Sequence, residues 1–411
     1  MSDIHQHTFD SGLTLVVEPI AGMQSAGVQF MLPAGAAYQP ADQLGVASVL
    51  SEGLFRGAGD RDAREHSQAL DQLGVKRDTS VDANHLRLSA TLLGERFDET
   101  LPLLTDMITA PRLADVSFEP ARSLAIQAID ALDDDPQHKA MIELRRAHLP
   151  DPLGRSHLGR KDALQALTNQ QLREFWQATF VPRGAIVGVA GRVSFEQVRD
   201  RLGALLGDWA GQGRSYEIGQ ATAGRYEHVH SNSTQQHIGI AYRAPAEADE
   251  QSALQRVAVA VLSGGMSGRL FTEVRERRGL CYAVFAAYTS LRDRGAIMAY
   301  AGTTNERAQQ TLDVLTGELA RLSDGVDADE FERATVGLKS RVVMQGESSA
   351  ARAAAISTDT YLLGRPRTLD ELSARIDAVT LDQLNAFVAA HRPENLTTLT
   401  IGPDPLTPPS V

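Results

Sequence analysis

Apolar residues alternate with polar ones, or run nearly unbroken, over residues 13–17 and 28–32, and the pattern returns at 238–242. Short runs of this kind, rich in Val, Leu and Ile, predict strands with a buried face. The period then changes. Residues 44–55 and 254–262, and after them 97–108 and 308–319, space their apolar side chains three and four apart, which predicts amphipathic helices. The same order of patterns runs once through the first half of the chain and again through the second, so the fold class is α+β.

The repetition extends to individual residues. Glu95-Arg96, Thr100-Leu101 and Leu104-Thr105 recur as Glu306-Arg307, Thr311-Leu312 and Leu315-Thr316, an offset of about 211 residues. Phe118-Glu119 recurs as Phe331-Glu332. Thr168, Gln171-Leu172 and Phe175 recur as Thr380, Gln383-Leu384 and Phe387, while Pro182 and Gly191 match Pro393 and Gly402. So many coincidences in nearly one register point to an internal duplication. The expected organisation is an N-terminal domain over 1–210, a linker over 211–224 and a C-terminal domain over 225–411. The segment 211–224 is Gly-rich with little periodicity, which suits a linker; an ordered surface crossover fits the same composition.

Length and composition narrow the function. A chain of 411 residues, 43% hydrophobic, is long enough for two cores. The single cysteine, Cys281, excludes an intramolecular disulfide and a cysteine-rich metal site. A net charge of −12 with no basic block argues against nucleic acid as a partner. No apolar run reaches the roughly 18 residues that cross a bilayer, and the N-terminus lacks the basic and apolar regions of an export signal. The expected location is the cytoplasm, or the periplasm if a leader was removed, with no membrane partner.

Two segments carry a family resemblance. Residues 45–59, GVASVLSEGLFRGAG, resemble the first signature of the M16 (pitrilysin or insulinase-like) peptidases, a helix reading G-x-A-H-F-L-E-H-x-L-F-K-G-T. Residues 263–282, SGGMSGRLFTEVRERRGLCY, resemble the second, a Gly-rich turn, S-R-L-F and then R-E-x-x-G-L-x-Y, with Gly268 intervening between Ser267 and Arg269. With the duplication, the resemblance spans nearly the whole chain. It implies two homologous domains, each a mostly antiparallel sheet packed with helices.

The departures from that pattern bear on chemistry. In active members two His at i and i+4 bind zinc and the intervening Glu activates water. Here those positions are Ser48, Ser51 and Glu52. A hydroxyl does not replace an imidazole ligand, and Ser51 cannot act as a general base. The family's third ligand is a Glu on a later helix, before an acidic turn. Aligned on Asp134-Asp135-Pro136, the corresponding pair is Gln127 and Ala128. The resemblance therefore implies no metal in this chain, and zinc in a partner.

Arg275 and Tyr282 of the second signature are intact. By resemblance this pair binds substrate at a site completed by another half or subunit, the guanidinium holding a carbonyl and the phenol donating to an oxyanion. Arg277 and Arg278 read as solvated charges. The turn 262–268 lacks a phosphate-loop ending, and its Gly264, Gly265 and Gly268 need no role beyond conformational freedom. His228, His230 and His237 lack a completing carboxylate or cysteine for a metal site. Cys281 reads as a small buried hydrophobe.

The expected function is the non-catalytic subunit of a heterodimeric zinc metallopeptidase, in a heterodimer or a dimer of heterodimers with a homologous H-x-x-E-H chain and a peptide substrate. Two other functions fit the same sequence: a purely structural subunit, like M16-type core proteins of respiratory complexes, or a subunit that presents a precursor peptide to a protease. The first expected outcome is that the isolated chain, dialysed against zinc, binds less than one equivalent by metal analysis and leaves a fluorogenic peptide uncleaved. Stoichiometric zinc together with cleavage would contradict the missing-ligand assignment.

Overall fold

The computed structural model describes residues 3–220 and 224–408. The chain divides into two compact units. Unit 1 holds a six-stranded sheet built from β1 (His5–Thr8), β2 (Thr14–Pro19), β3 (Ser25–Leu32), β4 (Lys76–Val81), β5 (Leu86–Leu93) and β6 (Ile186–Gly191), in the order β1-β2-β6-β3-β5-β4. Unit 2 holds a five-stranded sheet of β7 (Tyr226–His230), β8 (Gln235–Ala244), β9 (Cys281–Leu291), β10 (Arg294–Thr304) and β11 (Thr397–Gly402), in the order β9-β10-β8-β11-β7. Each sheet is antiparallel except for one parallel pair, β2 with β6 and β11 with β7.

The duplication seen in the sequence recurs in detail. The helix Asn169–Thr179 opens with a capping box between Thr168 and Gln171, and the helix Leu381–Ala390 opens with the same box between Thr380 and Gln383. In both, the Thr side chain satisfies an orphan amide of the first turn while Gln returns to the Thr backbone. The helices Phe97–Thr109 and Ala308–Arg321 each follow a single 3-10 turn. Thr100 and Thr311 occupy equivalent places in them, and each donates its hydroxyl to the carbonyl four residues back, of Arg96 and Arg307, at 2.8 Å.

Both sheets are apolar on two faces. In unit 1 one face packs Val28, Phe30, Leu86, Leu88 and Val187 against the unit's helices, including Val46–Gly53 and Phe97–Thr109. The other buries Val16, Met31, Ile186 and Ala190 under Ala353 and Ile356 of the helix Ser349–Leu363. In unit 2 Ile238, Ile240, Ile297 and Ala299 meet the helices Ser252–Ser263 and Ala308–Arg321. The opposite face sets Ala241, Met298, Tyr300 and Leu399 against Ala140 and Leu144 of the helix Pro136–His148.

The compact units are therefore not the contiguous halves. Unit 1 takes the residues up to Ala131, Arg155–Gly219 and Gln345–Thr368, and unit 2 takes Leu132–Gly154, Gln220–Met344 and the residues from Leu369 onward. Each sheet's second covering helix comes from a distant part of the sequence. Of the expected linker 211–224, residues 221–223 lie outside the described residues, and 211–220 form no helix or strand. Tyr216 within it is anchored in unit 1, its hydroxyl 2.5 Å from Asn84 Oδ1 and its ring edge-on to Tyr38. No helix among the described residues is long and apolar enough to cross a membrane.

The Ser349–Leu363 helix sits close to its sheet. A Cβ on Gly188 would fall 1.9 Å from Ser357 Oγ and 2.6 Å from the Ala353 carbonyl oxygen, so only glycine admits this approach. The same helix carries Arg352, fully buried, whose Nε lies 2.7 Å from Glu18 Oε2 and whose Nη2 donates to the Arg367 carbonyl at 3.1 Å. Glu18 is 1% exposed. Removing one member of a buried pair leaves the other charge without compensation. Arg352→Ala is expected to lower unfolding free energy by about 3–5 kcal/mol in urea titration, and the double variant Glu18→Gln/Arg352→Met to lose less. Equal losses would show that the pair does not act as a unit.

Candidate functional site

The helix Val46–Gly53 forms because Val46, Ala47, Val49 and Leu50 are buried, and it starts immediately after Gly45, whose φ of 109° is left-handed. Ser48 is buried and donates its hydroxyl to the His157 carbonyl at 2.5 Å. Ser51 donates to the Ser48 carbonyl at 3.0 Å. Both hydroxyls are thus committed to backbone oxygens, a common use of serine inside a helix. Glu52 is half-buried.

The helix Asp115–Asp130 packs beside it. Its buried stripe is Phe118, Ala121 and Ala125, and Ala128 continues that spacing with a methyl group that offers no donor atom. Gln127 and Ala128 are both exposed. Glu52 is the one carboxylate in this set, which does not fit a zinc ion that needs three protein ligands. Among the described residues no group of three or more His, Cys, Asp and Glu is placed to hold a metal.

Unit 2 carries the second set. Residues Phe271–Glu276 form a π-helical turn, closed by the Arg277 amide donating to the Thr272 carbonyl at 2.9 Å. Such wide turns are uncommon and recur at functional sites. Arg275 projects from it, exposed, with its guanidinium 4.8 Å over the Phe271 ring. That cation–π contact steadies an otherwise exposed side chain. Arg277 and Arg278, expected as solvated charges, are exposed but both pair with Glu273. Hydrogen bonding from Arg278 above all, with both guanidinium charges, holds the Glu273 carboxyl below its ordinary range.

Tyr282 sits on a β-bulge. Cys281 pairs with Thr303 and Ala283 with Gly302, so Tyr282 is the extra residue between them. A bulge redirects a side chain that regular alternation would place elsewhere. Here it brings Tyr282 over Gly302, to the face that carries Tyr300. A Cβ on Gly302 would fall 2.7 Å from Tyr282 Oη and 2.8 Å from Tyr300 Oη. Tyr282 is 48% exposed, and its hydroxyl donates to Gln235 Oε1 at 2.6 Å.

Behind it lies a buried relay. The hydroxyls of Tyr282 and Tyr300 converge on Gly302, and Tyr300 Oη lies 2.8 Å from His237 Nδ1. Burial, together with the neighbouring Tyr282 phenol, raises the Tyr300 phenol far above its ordinary value. Burial lowers His237, keeping the imidazole neutral. Cys281 packs with Val274 and Leu280, and burial pushes its thiol up to about 11, against a smaller opposing pull from Arg275, so it is an unreactive thiol at neutral pH.

The structure brings Arg275 and Tyr282 into one unit and leaves Ser48, Ser51, Glu52, Gln127 and Ala128 in the other. His228 bonds Thr400, and His230 bonds the Pro403 carbonyl and Asn232, so neither joins His237. Sequence inspection missed Gln235, His237 and Tyr300 as neighbours of Tyr282. The one signal for them was that Gln235 and His237, two apart in a strand, share a face.

Two family profiles match the chain: Insulinase (Peptidase family M16) over residues 15–160, and Peptidase M16 inactive domain over residues 166–337. The chain belongs to the M16 peptidase family. An uncharacterized zinc protease of Mycobacterium tuberculosis is 28% identical over 397 residues, covering 93% of this chain and 89% of that protein. Among solved structures, a peptidase M16 inactive domain from Pseudomonas fluorescens has a TM-score of 0.89 at 18% identity, covering 99% of both chains. A chain of complex III2 from Candida albicans, with Inz-5 bound, has a TM-score of 0.83 at 16% identity, covering 97% of this chain and 96% of that one. At these identities the two structures share the fold.

Gly302 is the contact on which the Tyr282 placement turns. Gly302→Ala is expected to cost about 1–3 kcal/mol by overpacking and to alter the near-ultraviolet circular dichroism of the tyrosines. An unchanged spectrum would show that the two phenols tolerate a methyl group between them and the strand.

Proposed function

We propose that this chain is the non-catalytic member of a two-chain zinc metallopeptidase, lending Arg275 and Tyr282 to a peptide held by a homologous chain that bears H-x-x-E-H. Hydrolysis itself belongs to that partner, whose zinc supplies the activated water. The observation that carries this function is the pair of backbone irregularities within one short segment. A π-helical turn presents Arg275 and a bulge presents Tyr282, and both side chains are exposed in the free chain. Regular strand and helix geometry is abandoned twice in a few residues, as happens where a side chain has to be aimed.

In this mechanism the Arg275 guanidinium, always charged, holds a peptide carbonyl or carboxylate through its N–H groups. The Tyr282 hydroxyl donates to the oxygen that becomes negative as the carbonyl is attacked, so its contribution grows toward the transition state. Neither group performs proton abstraction. A purely structural role is the second function to weigh, because the Tyr282 hydroxyl already has an internal acceptor in Gln235.

The two are separated by mixing this chain with a zinc-loaded, H-x-x-E-H-bearing M16 chain and assaying a fluorogenic peptide. Activity is expected in the mixture and in neither chain alone. Tyr282→Phe is expected to lower kcat about 100- to 1000-fold, and Arg275→Ala chiefly to raise KM, with assembly by gel filtration unchanged. Full activity in both variants would favour the scaffold.

A further inference from the structure

The Tyr282 hydroxyl is held from two sides, and the chemistry of its partners fixes the direction of every proton. An amide oxygen only accepts, so the Tyr282 proton goes to Gln235 Oε1 at 2.6 Å. The Tyr282 oxygen is then left to accept from Tyr300, whose hydroxyl converges with it on Gly302. Tyr300 Oη, having given its proton away, accepts from His237 Nδ1 at 2.8 Å. A neutral imidazole has one N–H, and this network places it on Nδ1; His237 Nε2 is buried without a hydrogen-bond partner. Reversing any link would set two lone pairs against each other.

The string therefore runs one way, from His237 through Tyr300 and Tyr282 to Gln235. It also runs outward: Tyr300 and His237 are at most 1% exposed, Gln235 is half-buried and Tyr282 is 48% exposed. Its strand positions explain the convergence. Gln235 and His237 share a face of β8, His237 lies directly opposite Gly302 in β10, and Tyr300 is two residues before Gly302 on the same face. The outermost acceptor is a carboxamide, the same functional group as a peptide bond.

We propose that Gln235 Oε1 occupies, in the free chain, the place taken by a substrate peptide carbonyl oxygen, and that Tyr300, oriented by His237, is a positioning residue that keeps the Tyr282 proton aimed there. This rests on Tyr282 donating to substrate, as proposed above. Exchanging one carboxamide oxygen for another is nearly even in the ground state. The exchange becomes favourable as the carbonyl oxygen gains negative charge, because a hydrogen bond to an ionised acceptor is about twice as strong as a neutral one. Gln235 thus competes with ground-state substrate and loses to the transition state, while the buried relay prevents the phenol from turning its proton inward.

The test uses the two-chain enzyme and a fluorogenic peptide, reading kcat and KM separately. Gln235→Ala removes the competing acceptor and is expected to lower KM about 3-fold with kcat maintained, while Gln235→Glu, a charged and stronger acceptor, is expected to raise KM by at least as much. Tyr300→Phe keeps the ring and removes the aiming proton, with an expected loss of about 10-fold in kcat and little change in KM. In a Tyr282→Phe background all three substitutions should have no further effect, which a merely structural role would not predict. If Tyr300→Phe does not fold, the opposite signs of the two Gln235 variants decide the matter. KM unchanged in both Gln235 variants while Tyr282→Phe still loses activity would overturn this inference and leave the proposed function standing. Full activity of Tyr282→Phe would overturn both.

Discussion

Each sheet in this protein is apolar on both faces, and a two-faced sheet is stable only when both faces are covered. The rest of the structure follows from that constraint. One face of each sheet is met by helices close to it in the sequence. The other requires one more helix, Ser349–Leu363 for the sheet of unit 1 and Pro136–His148 for that of unit 2. The chain leaves each contiguous half to deliver that helix and then returns. In unit 1 the delivery is fixed by the Gly188 contact and by the buried Arg352–Glu18 pair. Apolar packing alone would tolerate some sliding of the helix; a guanidinium that must reach one carboxylate tolerates little.

The candidate site lies on the same kind of face. On the unit 2 sheet, Ala241, Met298 and Leu399 are covered by Ala140 and Leu144, and the buried set includes Tyr300. Further along β8 and β10 the side chains become polar, with His237, Gln235 and Tyr282 grouped about Gly302. The buried end of this group anchors to the core and the exposed end meets solvent. A phenol at its outer edge is therefore oriented by packing it does not itself take part in, which is how a rigid scaffold gives precision to an exposed donor.

The helices that carry Ser48, Ser51, Glu52, Gln127 and Ala128 obey the same packing constraint. Val46–Gly53 is a well-packed helix with four apolar residues buried, and its two serine hydroxyls are both bonded to backbone carbonyls. Serine hydroxyls that bond backbone carbonyls fit the interior at little cost. Membership of the M16 family accounts for the scaffold, whereas the donor atoms on that scaffold decide what it can do.

By itself the sequence determined the α+β class, the duplication and the helices with three- and four-residue spacing, whereas Arg275 and Tyr282 became candidates only through the resemblance to the M16 signatures. Those features are local, or repeat at a fixed offset, and so survive without knowledge of contacts. The recurrence of Thr168 and Gln171 as Thr380 and Gln383 is the clearest case, and in the structure each pair closes a capping box within four residues. Only the tertiary structure decided which sheet each exchanged helix covers, because an amphipathic stripe says that a face is buried and not against what. It alone placed Tyr282 on a bulge, since the extra residue falls at the very start of its strand, where no alternation precedes it to be broken. It alone joined Gln235, His237 and Tyr300 to Tyr282, because cross-strand neighbours are set by register, and register is a property of the assembled sheet.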